Sequence, residues 1–150
     1  MSEKDLEGGC FCGAIRYRVK NHPAMVAYCH CEDCRRSAGG VVAVLAGFAV
    51  DCHEAIRGEL RQHVDEAGIE RGFCGDCGSP LYYRNPNFAE NIYIHIGSFD
   101  QPELLPPDRH TWVSQRIPWH RIDDDLAQYE QLSNDNRAGN TPPYRDPRTD

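Results

Sequence analysis

Cys29-His30-Cys31-Glu32-Asp33-Cys34-Arg35-Arg36 is the stretch on which the reading of the whole chain turns. Three thiols fall within six residues, at spacings of two and three. Side chains this close in sequence cannot all reach separate packing sites in a core. They can all reach one tetrahedral ion, because zinc gathers thiolates at about 2.3 Å. Three thiolates leave a fourth position open, and an open position separates a working zinc from a structural one. From the residues alone two readings stand. One is a catalytic zinc with an exchangeable position; the other is a second structural zinc closed by His30, Cys52 or another histidine.

The remaining thiols sort into pairs. Cys10-x-Cys12 and Cys74-x-x-Cys77 lie about sixty residues apart, and glycine (Gly13, Gly78) follows each at once. A knuckle that wraps a metal turns backbone N–H groups toward the sulfurs and often needs a glycine conformation. Together the pairs make a closed four-thiolate set with no room for substrate, which is a structural site. It would tie the start of the chain to its middle. The bland alternative is two unrelated pairs of core thiols. Cys52 stands alone beside His53 and reads as an inert buried thiol before a ligand. Arg35 and Arg36 would offset the charge of the thiolates and could grip a ligand carboxylate, or simply face solvent. Trp112 and Trp119 read as core residues before pocket walls.

Outward from these motifs the chain has 150 residues, enough for one domain with a core of its own. Residues 1–132 are expected to form that zinc-binding domain. Residues 133–150 are polar and proline-punctuated and are expected to be a flexible tail. The net charge of −7 argues against binding along a nucleic-acid backbone. Residues 1–9 look like a solvated lead-in without a signal peptide, and no stretch nears the ~18 apolar residues of a membrane span. A soluble, cytoplasmic protein is expected, and in a reducing compartment eight cysteines point to metal before disulfides.

Short strands dominate the pattern. Ile15, Tyr17 and Val19 alternate with Arg16, Arg18 and Lys20, the period of a half-buried strand. Glu32 to Ala38 can form one or two helical turns closed by Gly39-Gly40. Val41 to Val50 reads as a buried strand interrupted near Gly47, and weaker strands are expected over 58–64, 69–73, 81–84 and 110–114. Asn91 to Ser98 is the clearest strand, with Ile92, Ile94 and Ile96 on one face. Asp123 to Leu132 carries a weak helical pattern. The sum is a mainly β domain.

Three motifs carry a resemblance: Gly9-Cys10-Phe11-Cys12-Gly13, Cys29-His30-Cys31-Glu32-Asp33-Cys34-Arg35, and Phe73-Cys74-Gly75-Asp76-Cys77-Gly78-Ser79-Pro80-Leu81. With the late run His110-Thr111-Trp112 through Pro118-Trp119, they resemble the glutathione-dependent formaldehyde-activating enzyme family and its centromere-associated relatives. The likeness covers roughly residues 8–130. It implies an Mss4-like (β-tent) fold of twisted antiparallel sheets with zinc knuckles. It implies two zinc ions per chain: a structural one on Cys10, Cys12, Cys74 and Cys77, and a catalytic one on Cys29, Cys31 and Cys34. It implies carbon–sulfur lyase activity on a small thiol–aldehyde adduct such as S-hydroxymethylglutathione, with glutathione or another small thiol as partner. A substrate thiolate would take the open position, since coordination to zinc lowers a thiol's pKa. His30 and Asp33 are the nearest candidates for proton transfer. The other class of function is a zinc-stabilised interaction module without chemistry; fold and metal set alone do not separate the two. Neither nucleic acid nor membrane is expected as a partner.

Overall fold

Tyr17 and Val19 turn inward, as their spacing predicts, and they do so from a strand at the start of one of two compact units. The protein is described here by a computed structural model, which covers residues 5–132. The expected tail, 133–150, lies outside the described residues. One unit is drawn from Met1–Val26 and Leu45–Pro106, the other from Ala27–Val44 and Pro107–Asp150. The fold is mainly β, with a single α-helix among the described residues.

In the first unit, β1 (Leu6–Gly9) pairs antiparallel with β2 (Arg16–Val19), and β2 with β5 (His53–Arg57). β1 lies in what the sequence suggests is a solvated lead-in. Its Leu-Glu-Gly-Gly has no strand-forming pattern, and only the pairing with β2 makes it a strand. β5 likewise carries no apolar face: four of its five residues are exposed. A second antiparallel set runs β4 (Ala43–Ala49), β9 (Asn91–His95), β8 (Pro80–Arg84), β7 (Glu70–Phe73), β6 (Arg61–Val64). Only the residues of β4 from Leu45 onward belong to this unit.

Two expectations need correction here. β4 runs through Gly47 without a break. Glycine is there for space, since a Cβ would sit 3.0 Å from the Tyr93 ring and 3.2 Å from Met25. β9 is shorter than the isoleucine alternation suggests and ends at His95. Ile92, Tyr93, Ile94 and His95 are all buried, so both faces are covered. The Tyr17 ring meets Phe99 edge-on at 5.5 Å, and its hydroxyl lies 2.6 Å from Ser98 Oγ. That hydrogen bond answers the polar tip of a buried ring.

In the second unit, β10 (Arg109–Thr111) lies between Ala27–Cys29, the end of β3 (Met25–Cys29), and β11 (Ala127–Gln128). Both pairings are parallel, with Thr111 beside Cys29 and Arg109 beside Ala127. The weak helical pattern at 123–132 is therefore overturned. Its backbone instead answers residues 110–114, with the Trp112 N–H donating to Gln131 and the Tyr129 N–H to His110. β10 is shorter than expected, because Trp112 adopts φ +55° and turns the chain out of the strand. That conformation is uncommon for a bulky side chain and has to be held by its surroundings. α1 (Glu32–Ala38) is the expected short helix. Gly39, in the left-handed conformation, donates its N–H to the Arg35 carbonyl and ends it.

Candidate metal centres

Each thiol set comes together. The sulfurs of Cys10, Cys12, Cys74 and Cys77 lie within 4.8 Å of one another, as do those of Cys29, Cys31 and Cys34. No cysteine is in a disulfide. Within the sets, Cys10 and Cys12 Sγ lie 3.6 Å apart, Cys12 and Cys74 Sγ 3.8 Å, and Cys29 and Cys31 Sγ 3.5 Å. Four sulfurs 2.3 Å from a central ion stand roughly 3.8 Å apart on a tetrahedron's edges, so these spacings fit a metal. They are far longer than the ~2 Å of a disulfide.

The four-thiol set is built by two knuckles in the first unit. The Ile15 N–H points at Cys10 Sγ, 3.2 Å away, and Gly13 takes φ +81° to close the turn. Gly78 takes φ +77° and donates its N–H to the Cys74 carbonyl at 2.8 Å. Ser79 joins the knuckles. Its hydroxyl accepts from the Phe11 N–H at 3.0 Å and lies 3.1 Å from Cys77 Sγ, where its own hydrogen is free to go. The Ser79 hydroxyl and then its backbone N–H pull the Cys77 thiol down to about 6. The Ala14 backbone N–H favours the Cys12 thiolate. The crowding of Cys10 and the other sulfurs outweighs it and pushes the Cys12 thiol up to about 12.

The three-thiol set sits where β3 passes into α1. Cys29 closes the strand and Cys31 is the N-cap of the helix, its sulfur accepting from the Cys34 N–H at 3.2 Å. Cap and third helical residue face each other, which brings Cys34 back over Cys31. Cys31 next to Cys29 pushes the Cys29 thiol up to about 11, and Cys29 and then Cys31 push Cys34 far up. Three such thiols cannot all ionise side by side unless a cation offsets the charge, and this donor set suits a soft divalent ion. Among the described residues no histidine, carboxylate or further cysteine joins the three sulfurs within 4.8 Å. His30 and Cys52 do not close the set. Cys52 lies in the first unit near the Asn21 side-chain amide, 3.7 Å away.

His30 is wholly buried at 0% exposure, and burial first, then the charges of His110, His120, Arg116 and Arg35, push its imidazole down to about 3. Its Nε2 lies 2.9 Å from Nδ1 of His110, whose Nε2 lies 2.9 and 3.0 Å from the two carboxylate oxygens of Asp124. Tyr28 stacks on the His110 ring at 4.6 Å. Sequence reading missed His110 and Asp124 as members of this neighbourhood, because eighty residues separate His110 from His30. Asp33 is exposed on the first turn of α1. Arg36 is exposed and pairs with Glu32 at 3.0 Å, while half-buried Arg35 borders an open groove with Glu32, Gly39, Val41 and Ile117. Arg116 ties down the loop after it, donating to the carbonyls of Ile117, Pro118 and His120. That loop holds Trp119 out in solvent, 71% exposed, against the expectation of a core residue.

A mainly β chain with two clustered thiol sets defines a class: small β proteins whose cysteine clusters could hold metal ions. The sequence profile of the glutathione-dependent formaldehyde-activating enzyme family matches residues 5–115, and the chain belongs to that family. A Halomonas elongata protein with the provisional name glutathione-dependent formaldehyde-activating enzyme is 30% identical over 132 residues, covering 79% of this chain and 81% of that protein. A protein of Schizosaccharomyces pombe, named as an uncharacterized lyase, is 23% identical over 116 residues, 75% of this chain and 81% of its own length. A crystal structure of a Rhodobacter sphaeroides protein superposes with a TM-score of 0.55 at 23% identity, over 63% of this chain and 87% of the other, and shows the fold. No helix among the described residues is long and apolar enough to cross a membrane.

Proposed function

We propose that the protein is a zinc-dependent carbon–sulfur lyase acting on the adduct of a small thiol and an aldehyde, S-hydroxymethylglutathione or a close analogue. The observation that carries this reading is the three-thiol set of Cys29, Cys31 and Cys34, which no fourth ligand closes among the described residues. Cys10, Cys12, Cys74 and Cys77 would hold a second, structural zinc. When bound at the three-thiol set, zinc steadies a substrate sulfur as thiolate. In the cleavage direction the carbon–sulfur bond breaks, sulfur keeps the electron pair, and the hydroxyl proton leaves as the carbonyl forms. Cys29, Cys31 and Cys34 hold the centre and orient its open side. Arg35, beside the groove along α1, offers a guanidinium to a carboxylate of the thiol.

The test follows the exchange between glutathione, formaldehyde and their adduct by NMR in the presence of zinc-loaded protein. Acceleration over the uncatalysed exchange is expected, with loss in Cys29→Ser while circular dichroism stays unchanged. No acceleration by protein carrying two zinc ions would overturn the reading.

A further inference from the structure

Two hydrogen bonds grip the three-thiol stretch from one short segment of the second unit. The His30 N–H donates to the Thr111 carbonyl at 3.0 Å, and the Glu32 N–H donates to Gln115 Oε1 at 2.8 Å. Each N–H belongs to the peptide that follows a thiol, Cys29 in the first case and Cys31 in the second. The peptide is planar, so holding its N–H fixes the ψ of the residue before it. For Cys31 that ψ is 152°, with φ −64°, the extended conformation of a helix cap. In this conformation Cys31 Sγ accepts from the Cys34 N–H at 3.2 Å and lies 3.5 Å from Cys29 Sγ.

The first grip is backbone to backbone. The second depends on one side chain, 83 residues along the chain from its partner. Between the two grips lies Trp112, whose φ of +55° ends β10 and opens the one-turn helix Val113–Gln115. Left-handed backbone is costly for a bulky residue and persists only where the surroundings hold it. Here the Trp112 N–H donates to Gln131 and the Val113 N–H to Tyr129. The turn so held lets Thr111 stay in its pairing with β3 while Gln115, four residues on, reaches the start of α1. Glu32 and Gln115 are both exposed. Water could satisfy the Glu32 N–H in place of Gln115, so the side chain is not needed to keep that group paired. What mobile water does not supply is a fixed direction.

We propose that Gln115 is a positioning residue for the three-thiol centre: its side-chain carbonyl holds the Cys31–Glu32 peptide so that Cys31 Sγ faces the same ion as Cys29 and Cys34. This rests on the part of the reading above that places zinc on these three thiols, and not on the lyase chemistry. Partners that orient a ligand without touching the metal contribute about 10–100-fold to metal affinity.

The experiment measures zinc release to a pyridylazo chelator from the full chain carrying two zinc ions, in wild type, Gln115→Met and Gln115→Glu. Methionine keeps the length of the side chain but offers only a weak acceptor, whereas glutamate keeps an oxygen acceptor. Cys31→Ser, which retains only the four-thiol zinc, identifies the release phase of that set. Gln115→Met should speed release from the three-thiol set about tenfold and leave the four-thiol phase unchanged. Gln115→Glu should stay within about twofold of wild type. With cobalt(II) in place of zinc, the visible ligand-field bands of the three-thiol centre should shift in Gln115→Met and not in Gln115→Glu, while the metal-free proteins melt alike. Two zinc ions per chain with Gln115→Met indistinguishable from wild type in release and bands would overturn this inference and leave the zinc reading standing. Acceleration of both phases together, or a Gln115→Glu variant as fast as Gln115→Met, would likewise overturn it. A wild-type chain that takes up only one zinc would overturn both.

Discussion

Ser79 does two things with one hydroxyl: it accepts from the Phe11 N–H and lies against Cys77 Sγ. Removing it in Ser79→Ala should raise the Cys77 thiol above its present value of about 6 and speed metal loss to a chelator roughly tenfold, the range typical of supporting partners at metal sites. An unchanged release rate would mean the hydroxyl does not stabilise the thiolate. Cys31 separates two roles in the same way, as the proposed metal ligand and as helix cap. Cys31→Ser keeps a cap and should leave the melting temperature of the metal-free protein unchanged, while losing the second metal. Cys31→Ala should lose the metal and about 1 kcal/mol of stability besides. At this scale the sequence is most informative for thiols, since spacing alone groups Cys29, Cys31 and Cys34. It is silent on how His30, His110 and Asp124 meet, a relation that arises only when β10 pairs with β3.

At the scale of elements, what was legible follows local chemistry. Tyr17 and Val19 mark β2, and Gly39 marks the end of α1, because alternation and a left-handed cap are written in neighbouring residues. β1, β5 and β11 were not legible. Leu-Glu-Gly-Gly, a mostly exposed His-Glu-Ala-Ile-Arg and a two-residue Ala127–Gln128 are strands because of their partners, not their patterns. The knuckles are the most local elements, and Gly78 tests them. Nothing lies within 4 Å of where its Cβ would be, so only its φ of +77° opposes a side chain. Gly78→Ala should cost about 1–2 kcal/mol in a denaturant titration of the metal-loaded protein. A neutral result would mean the turn relaxes without strain.

For the whole molecule, pH gives a test that does not depend on metal chemistry alone. Burial, then the charge of Arg71, depresses the His95 imidazole to about 4. The unfolded chain therefore takes up this proton first. The stabilisation is complete above about pH 6.5 and drains away as pH falls toward 4, by roughly 2–3 kcal/mol. Acid also protonates the thiolates, so the comparison is with His95→Gln, which shares that loss. Between pH 6.5 and 4 the wild type should lose stability more steeply; parallel curves would mean His95 is not held neutral. The central claim is the open side of the three-thiol centre. Its most direct measurement is the sulfur-to-metal charge-transfer absorption of protein loaded with two cobalt(II) ions, titrated with glutathione. A rise equivalent to one added thiolate per chain is expected, abolished in Cys29→Ser. An intensity that already corresponds to eight thiolates, or does not change with glutathione, would contradict it.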